Sequence, residues 1–290
     1  MNNVIKGIIL TPFNILYKIS PELDLKLLFR LKQGYPLNLK DPRTYNEKLQ
    51  WIKLYDHNEL MPDCCDKYAV RKVVAELGCG EILNELLWEG FDPADIPFDE
   101  LPDKFVIKVT HGSTFNIICT DKAALNRQKA ISDCRTWLKA KFLPCYGEWF
   151  YGKVKPRVIV EKYIESDDGG QLRDYKIFCF NGKPTYIRVD SDRFTKHRDD
   201  MFTDEWVHMD GAHMGHGCSD YKIEKPECLD ELLGYAAALS KPFKHARTDF
   251  YVVNNKVIFG EITFTNGAGF DRFSSYELDL EMGSRLDLKA

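Results

Sequence analysis

Two carboxylates on one candidate hairpin are the residues of this chain whose type and spacing most directly suggest chemistry. In "ARTDFYVVNNKVIFGEITFTNGAG", residues 246 to 269, Asp249 and Glu261 interrupt otherwise apolar arms. Side chains alternate faces along a strand, so the turn decides whether the two acids meet. A two-residue Asn254-Asn255 turn pairs 249 with 260 and puts the acids on opposite faces, whereas a three-residue Asn254-Asn255-Lys256 loop pairs 249 with 261. Asparagine tolerates the left-handed backbone such a loop needs, so the three-residue loop is predicted. Arg247, Asp249, Glu261 and Thr263 then share one face, and Phe250, Val252, Ile258, Ile262 and Phe264 form the core face. Facing carboxylates repel unless a cation lies between them, and clustered oxygens are hard ligands that suit Mg²⁺. The competing reading is a solvated edge strand whose acids are partly neutralised by Arg247.

Three lysines extend the pattern. Lys108 interrupts the apolar "FVIKV" and is followed by His111-Gly112-Ser113-Thr114, a turn whose backbone N–H groups could join an ammonium in holding a polyphosphate. Snorkelling explains a lone strand lysine equally well. Lys67 falls in the expected first turn of a helix, where the dipole disfavours a cation and a bound phosphate would relieve it. Lys176 follows Asp174 in "RDYKIFCF", and Glu161 ends "RVIVE" just before a polar loop, where a carboxylate could read an adenine edge. A strand-edge charge and a turn cap are the bland readings of these two. Three lysines, an acid at a linker and a facing acid pair together make a set suited to a magnesium nucleotide. No GxxxxGK[ST] is present, which excludes a P-loop.

The elements that must position these groups alternate between helical and strand patterns. Thr44 with Glu47 reads as a capping box opening a helix through "YNEKLQWIKLY". Asp66 is expected to cap a second helix with Val70, Val73, Val74 and Leu77 on one face, ended by Gly78. Strands are expected at 104–110 and 157–164, and Asn181-Gly182 turns a hairpin within "DYKIFCFNGKPTYIRVD". Between them, a helix from Asp121 to about Phe142 buries Leu125, Ile131, Cys134 and Leu138. Leu229, Leu232, Leu233 and Ala236 mark a last clear helix before the acid hairpin. Strands joined by hairpins and mixed with helices indicate an α+β protein, not a doubly wound parallel sheet.

With 290 residues and 44% hydrophobic content, the chain can bury a sizeable core in two or three lobes. Its formal charge of −4 gives no overall attraction to nucleic acid, so any phosphate must be held locally. Nine cysteines, none in a CxxC pair, fit a reducing cytoplasm. The N-terminal "MNNVIKGIILTPFNILYKI" is too short and too interrupted to span a bilayer; it is read as a docking helix or as weak peripheral contact with the inner membrane face. "HMDGAHMGHGC" offers His208, His213, His216 and Cys218 at a spacing matching no common structural zinc site, and is read as a polar loop near the acceptor pocket, with Asp190, Asp192 and Arg193 upstream.

The phrases "TYNEKLQWIKLYD", "DKYAVR", "LPDKFVIKVTHGS", "RVIVEKYI", "DYKIFCFNGKP", "ARTDFYV" and "FGEITF", in this order from about residue 40 to about 270, resemble the TupA-like branch of the ATP-grasp superfamily. The resemblance implies an ATP-grasp fold in which antiparallel-sheet lid and C-terminal domains clamp ATP and a mainly helical N-terminal region completes the acceptor site. On this basis residues 1–100, 101–165 and 166–290 are expected to form the three parts. It further implies phosphate contacts from Lys67 and Lys108, a loop from His111 through Gly112 and Ser113 to Thr114 over them, adenine contact at Glu161, linker contacts at Tyr163 and Ile164, and ribose contact at Asp168. Lys176 resembles the lysine at the γ-phosphate, Asp249 and Glu261 the magnesium ligands, and Arg247 the arginine that steadies the transfer step. Thr263 stands where many ligases of the superfamily carry a metal-binding asparagine. The expected activity is ligation of a carboxylate to an amine with ATP and Mg²⁺, on a uronic acid or related carboxylate of surface polysaccharide. Asp190-Ser191-Asp192 resembles the DxD of nucleotide-sugar enzymes, which makes a glycosyltransferase the alternative.

Overall fold

Local capping sets the helical N-terminal third. The structure, a computed structural model, describes residues 3–290 apart from 168, 170 and 194, with side chains from residue 9 onward. Helices α1 (Asn3–Ile19) and α2 (Pro21–Gln33) pack as a pair, and α2 starts on the Ser20 side chain and stops at Gly34, whose φ of 84° only glycine adopts freely. Helix α3 (Tyr45–Tyr55) opens with the capping box: Thr44 Oγ1 accepts the Glu47 N–H at 3.2 Å and Glu47 Oε2 accepts the Thr44 N–H at 3.1 Å. A short α4 (Met61–Cys64) leads to α5 (Ala69–Glu76). Asp66 Oδ1 accepts the N–H groups of Tyr68 and Ala69, each at 2.9 Å, so the acid does cap, but Lys67 stands ahead of the helix and not within its first turn as expected.

Strands β1 (Leu86–Gly90), β2 (Phe105–Val109), β3 (Asn116–Cys119) and β4 (Val158–Lys162) form an antiparallel sheet in the order β1-β4-β2-β3. Helix α6 (Arg127–Trp137) buries Ala130 and Cys134 in the core of this layer. It is shorter than the expected 121–142 because Asn126 caps Lys129 N–H at 2.9 Å, while Asp121 folds residues 121–124 into a separate turn. Since β1 pairs with β4, the expected boundary at residue 100 cuts this layer, which starts near residue 86.

The second sheet holds β5 (Asp174–Phe180), β6 (Lys183–Ser191), β7 (Arg198–Thr203), β8 (His245–Val253) and β9 (Lys256–Thr263), ordered β7-β6-β5-β8-β9. Asn181 and Gly182, both with positive φ, close the β5–β6 hairpin as expected. Helix α7 (Leu229–Ser240) covers one face, and α3, α5 and α8 (Tyr276–Ser284) contribute to the same core. The first sheet has a separate core around Phe105, Ile107, Val109 and Cys134.

The β8–β9 hairpin reaches the expected pairing by a different route. Its turn has two residues, Asn254 and Asn255, at φ 50° and 57°, with Val253 opposite Lys256. A β-bulge then adds Gly260, so that Phe250 faces Phe259 while Asp249 faces Glu261. A two-residue primed turn matches strand twist better than an odd loop, and the bulge restores the parity the loop was expected to supply. Below the bulge the faces exchange: Val257 and Phe259 are core, whereas Ile258 pairs with Tyr251 on the other face, correcting its expected place. Phe250, Ile262 and Phe264 are buried as expected, and Val252 packs at the core edge.

Candidate active site

Antiparallel register assembles the charged row. Arg188, Lys176, Asp249 and Glu261 face one another across β6, β5, β8 and β9. Lys176 Nζ donates to Asp174 Oδ2 at 2.5 Å and to Asp249 Oδ2 at 2.7 Å. Arg247, two residues before Asp249 and on its face, donates Nε to Asp249 Oδ1 at 2.7 Å and Nη2 to Oδ2 at 2.6 Å. The same Nη2 reaches Thr263 Oγ1 at 3.1 Å and Glu261 Oε1 at 3.4 Å, and Nη1 donates to Asn266 Oδ1. The cation between the facing acids is therefore the Arg247 guanidinium.

Burial works against the charges on Asp249, Lys176 and Arg247, yet their partners prevail, whereas at Asp174 burial outweighs Lys176 and Arg193 and raises the carboxyl pKa. Arg247 and Lys176 hold the Asp249 carboxyl below its ordinary range against burial. Burial likewise opposes the charge on Lys176, but Asp249 and Asp174 hold its pKa above the usual value. Arg247 is raised in the same way by Asp249 and Glu261. Such a group is pre-set: the charges hold one another in place without water. Glu261 differs, because its side chain is 47% exposed and its contact with Arg247 is long.

A cleft of about 560 Å³ opens beside this cluster. Among the expected residues, Lys67, His111, Gly112, Ser113, Thr114, Arg247, Glu261 and Thr263 line it. Lys67 Nζ donates to the Gly112 carbonyl at 2.7 Å and its N–H to Thr110 at 3.0 Å, so the lysine is bound to the β2–β3 turn. Burial pushes its pKa down, opposed by Glu261. Gly112 and Thr114 take φ of 77° and 65°, and His111 Nε2 meets the Ala140 carbonyl at 3.1 Å.

Lys108 and Glu161 do not line the cleft; they pair with each other, Nζ to Oε2 at 2.6 Å, and Arg71 takes the other oxygen of Glu161 at 3.2 Å. Both oxygens of the expected adenine reader are thus engaged within the protein. Lys176 and Asp249 are buried behind Arg247, and Tyr163 and Ile164 are half-buried after β4. Asp168 lies outside the described residues.

The two acids of the DxD-like stretch have different partners. Asp190 is buried against Arg188 Nε at 2.7 Å, and Asp192 accepts the Tyr221 hydroxyl at 2.9 Å, which leaves no pair aimed at a shared metal. Arg193 donates to Asp174 Oδ2 at 2.9 Å and so belongs to the charged cluster. In the histidine loop, His208 sits between Asp210 at 2.8 Å and Asp200 at 3.2 Å, while His216 stacks on His197 with ring centres 3.7 Å apart. Asp200, His208 and Cys218 have ligand atoms within 4.8 Å of one another; His213 and His216 are not part of that group.

Several site residues escaped the sequence reading. Asn266 and Asp271 bond to each other and extend the Arg247 network, and their position just after the acid hairpin was the available signal. Arg71 gave none, nor did Glu148, a single acid in "YGEWFYG" that lines the cleft.

Comparison with known proteins places the chain in a family. Residues 47–287 match the family described as TupA-like ATPgrasp. No curated protein matches the sequence. Among solved structures, D-alanine–D-alanine ligase from Bacillus anthracis complexed with ATP is 20% identical over 70% of this chain and 55% of its own, with a TM-score of 0.41. The L-amino acid ligase from Bacillus licheniformis is 14% identical over 87% and 57%, TM-score 0.47. D-alanine–D-alanine ligase from Helicobacter pylori is 16% identical over 83% and 69%, TM-score 0.49. The chain thus spans little more than half the length of the first two, and likenesses this distant say nothing about its substrates. Coverage of most of the chain by the family match, from the capped α3 to the end of α8, makes it a member of the TupA-like ATP-grasp family.

Proposed function

We propose that the chain is an ATP-dependent carboxylate–amine ligase that clamps ATP between its two sheets and acts on a uronic acid or related carboxylate of surface polysaccharide. The observation that supports this most is the cleft itself, where Lys67, the 111–114 turn, Arg247 and Glu261 converge from three distant stretches of a family member's chain. In this reading the γ-phosphate passes to the substrate carboxylate, and an amine displaces phosphate from the resulting acylphosphate. The protein positions groups and stabilises charge, which is most of what phosphoryl transfer asks of it.

Magnesium, which the family implies, fits the donors in kind, since facing carboxylates and a hydroxyl are hard oxygens. Glu261 is the open ligand; Asp249 and Thr263 could join it only by exchanging contacts with Arg247. Bound there, the ion would neutralise phosphate oxygens, while Arg247, already aimed between the acids, meets charge growing on the transferred group. Lys67 would reach phosphate by releasing the Gly112 carbonyl, and Lys108 by parting from Glu161, which would then be free for adenine. Lys176 would act through Asp249 unless the cluster opens. Tyr163, Ile164 and Asp168 keep their linker and ribose roles as part of this proposal.

ADP release in a screen of uronic acids against amino acids tests the reading, with Glu261→Ala as the blank. ATP-dependent coupling in the parent and none in the blank supports it; consumption of a sugar nucleotide with ATP untouched would replace it by the glycosyltransferase alternative. A peripheral membrane contact also belongs to the proposal, supported by Ile9, Ile15, Ile19, Leu23, Leu27 and Leu31 exposed on α1 and α2.

A further inference from the structure

The cleft contains an acid that the steps above leave unused. Glu148 lies between α6 and β4 and lines the cleft with Arg247 and Glu261. Thr265, just beyond β9, donates its hydroxyl to Glu148 Oε1 at 2.5 Å; among the described residues nothing hydrogen-bonds to Oε2. Beneath it the Lys53 ammonium, buried in α3, donates to the Tyr146 carbonyl at 2.6 Å and the Ala268 carbonyl at 2.8 Å. One buried cation therefore ties the segment carrying Glu148 to the loop carrying Thr265, and the carboxylate is held in place with one oxygen to spare. Among the described residues, Lys67, Lys141, Arg247 and Glu261 are the charged groups that share its cleft; Glu148 opposes the ionisation of Cys65 and Tyr151, and Lys53 is the cation that favours its charge.

We infer that Glu148 is the acceptor-side base: its carboxylate pairs with the incoming ammonium of the second substrate and takes one of its protons before the nitrogen attacks. This rests on the ligase reading and commits the acceptor to an amine that arrives charged. The step balances: R′NH3⁺ gives a proton to the carboxylate, the free amine forms the C–N bond with the acyl carbon, and the C–O bond to phosphate breaks with its electron pair leaving on phosphate. The second nitrogen proton passes to the departing phosphate. Burial raises the Glu148 pKa, with Lys53 and Thr265 opposing, which makes it a better proton acceptor than a solvated carboxylate.

Hydroxylamine separates this role from a structural one, because it is uncharged near neutral pH and traps acylphosphates without needing a base. The full chain is given ATP, magnesium chloride and glucuronate or galacturonate, with hydroxylamine or with alanine, glutamate or lysine, and hydroxamate and amide are measured. Glu148→Gln keeps an oxygen for the Thr265 bond; it is expected to lower the amide-to-hydroxamate ratio about 100-fold and to make amide formation rise with pH as free amine increases. Glu148→Asp, which keeps the charge one methylene back, is expected to retain the parental pH profile at a lower rate. An unchanged ratio and profile in Glu148→Gln, or equal loss of both products, overturns the assignment. No hydroxamate from the parent with either acid counts against the ligase reading itself, a result the ratio cannot mimic.

Discussion

At the residue scale, the two facing acids do different work because their surroundings differ. Asp249 is held by Arg247 and Lys176 out of water, so its charge stabilises the site. Asp249→Asn leaves two buried cations short of a partner and is expected to cost roughly 3–5 kcal/mol, read from urea unfolding. The pH dependence follows in sign: with the folded pKa lowered, the contribution of Asp249 is complete above the unfolded value of about 3.9 and is lost as pH falls through the folded one. Lys176, whose folded pKa is raised, contributes below about 10.4 and loses its contribution as pH rises through its folded value. Asp249→Asn should flatten the acid limb of the stability curve, and an unchanged limb would remove Asp249 from the account. Glu261, half exposed, should behave in the opposite way: Glu261→Gln is expected to leave the unfolding midpoint within about 0.5 kcal/mol. ATP turnover in that variant should fall at least about 100-fold.

At the element scale, the β-bulge is what brings the acids together. A Cβ on Gly260 would come 2.9 Å from the Asp249 carbonyl oxygen, closer than side-chain carbons approach backbone, so this glycine is required by contact. Gly260→Ala is expected to shift the register of β9 at Glu261 and to abolish nucleotide binding measured by calorimetry, with helix content unchanged by circular dichroism. Binding at the parental affinity would show that the bulge tolerates a side chain. The capping box of α3 does not line the cleft, and Thr44→Ala should cost about 1 kcal/mol of stability with little change in nucleotide affinity.

At the scale of the whole molecule, the first sheet has its own core, distinct from the one shared by the second sheet and the N-terminal helices. A ligand gripping both layers would link them. ATP with magnesium at 100 times its dissociation constant is expected to raise unfolding free energy by about 2.7 kcal/mol, visible as a shift in Tm. Among the described residues no helix is long and apolar enough to cross a membrane. The exposed apolar residues of α1 and α2 instead suit a surface contact; Ile15→Asp with Ile19→Asp should reduce co-sedimentation with anionic lipid vesicles, and a parent that does not sediment would end that part of the proposal.

Much of this was written in local patterns. The capping box at Thr44, the Asn181-Gly182 turn, the α7 stripe and the candidate acids and lysines all depend on near neighbours in the chain, where propensity and periodicity act directly. The family phrases added their order. What needed the folded chain was partnership: that Lys108 meets Glu161, that Arg247 lies between Asp249 and Glu261, and that Lys53 ties the Tyr146 and Ala268 carbonyls of the two segments carrying Glu148 and Thr265. The acids face one another through a bulge at Gly260 and not through the loop the sequence suggested. Local residue types decide which groups can carry charge, but buried charges are stable only beside specific opposites. Those opposites come from strands and helices far apart in sequence, so only their packing settles which pairs form and which oxygen remains open to a substrate.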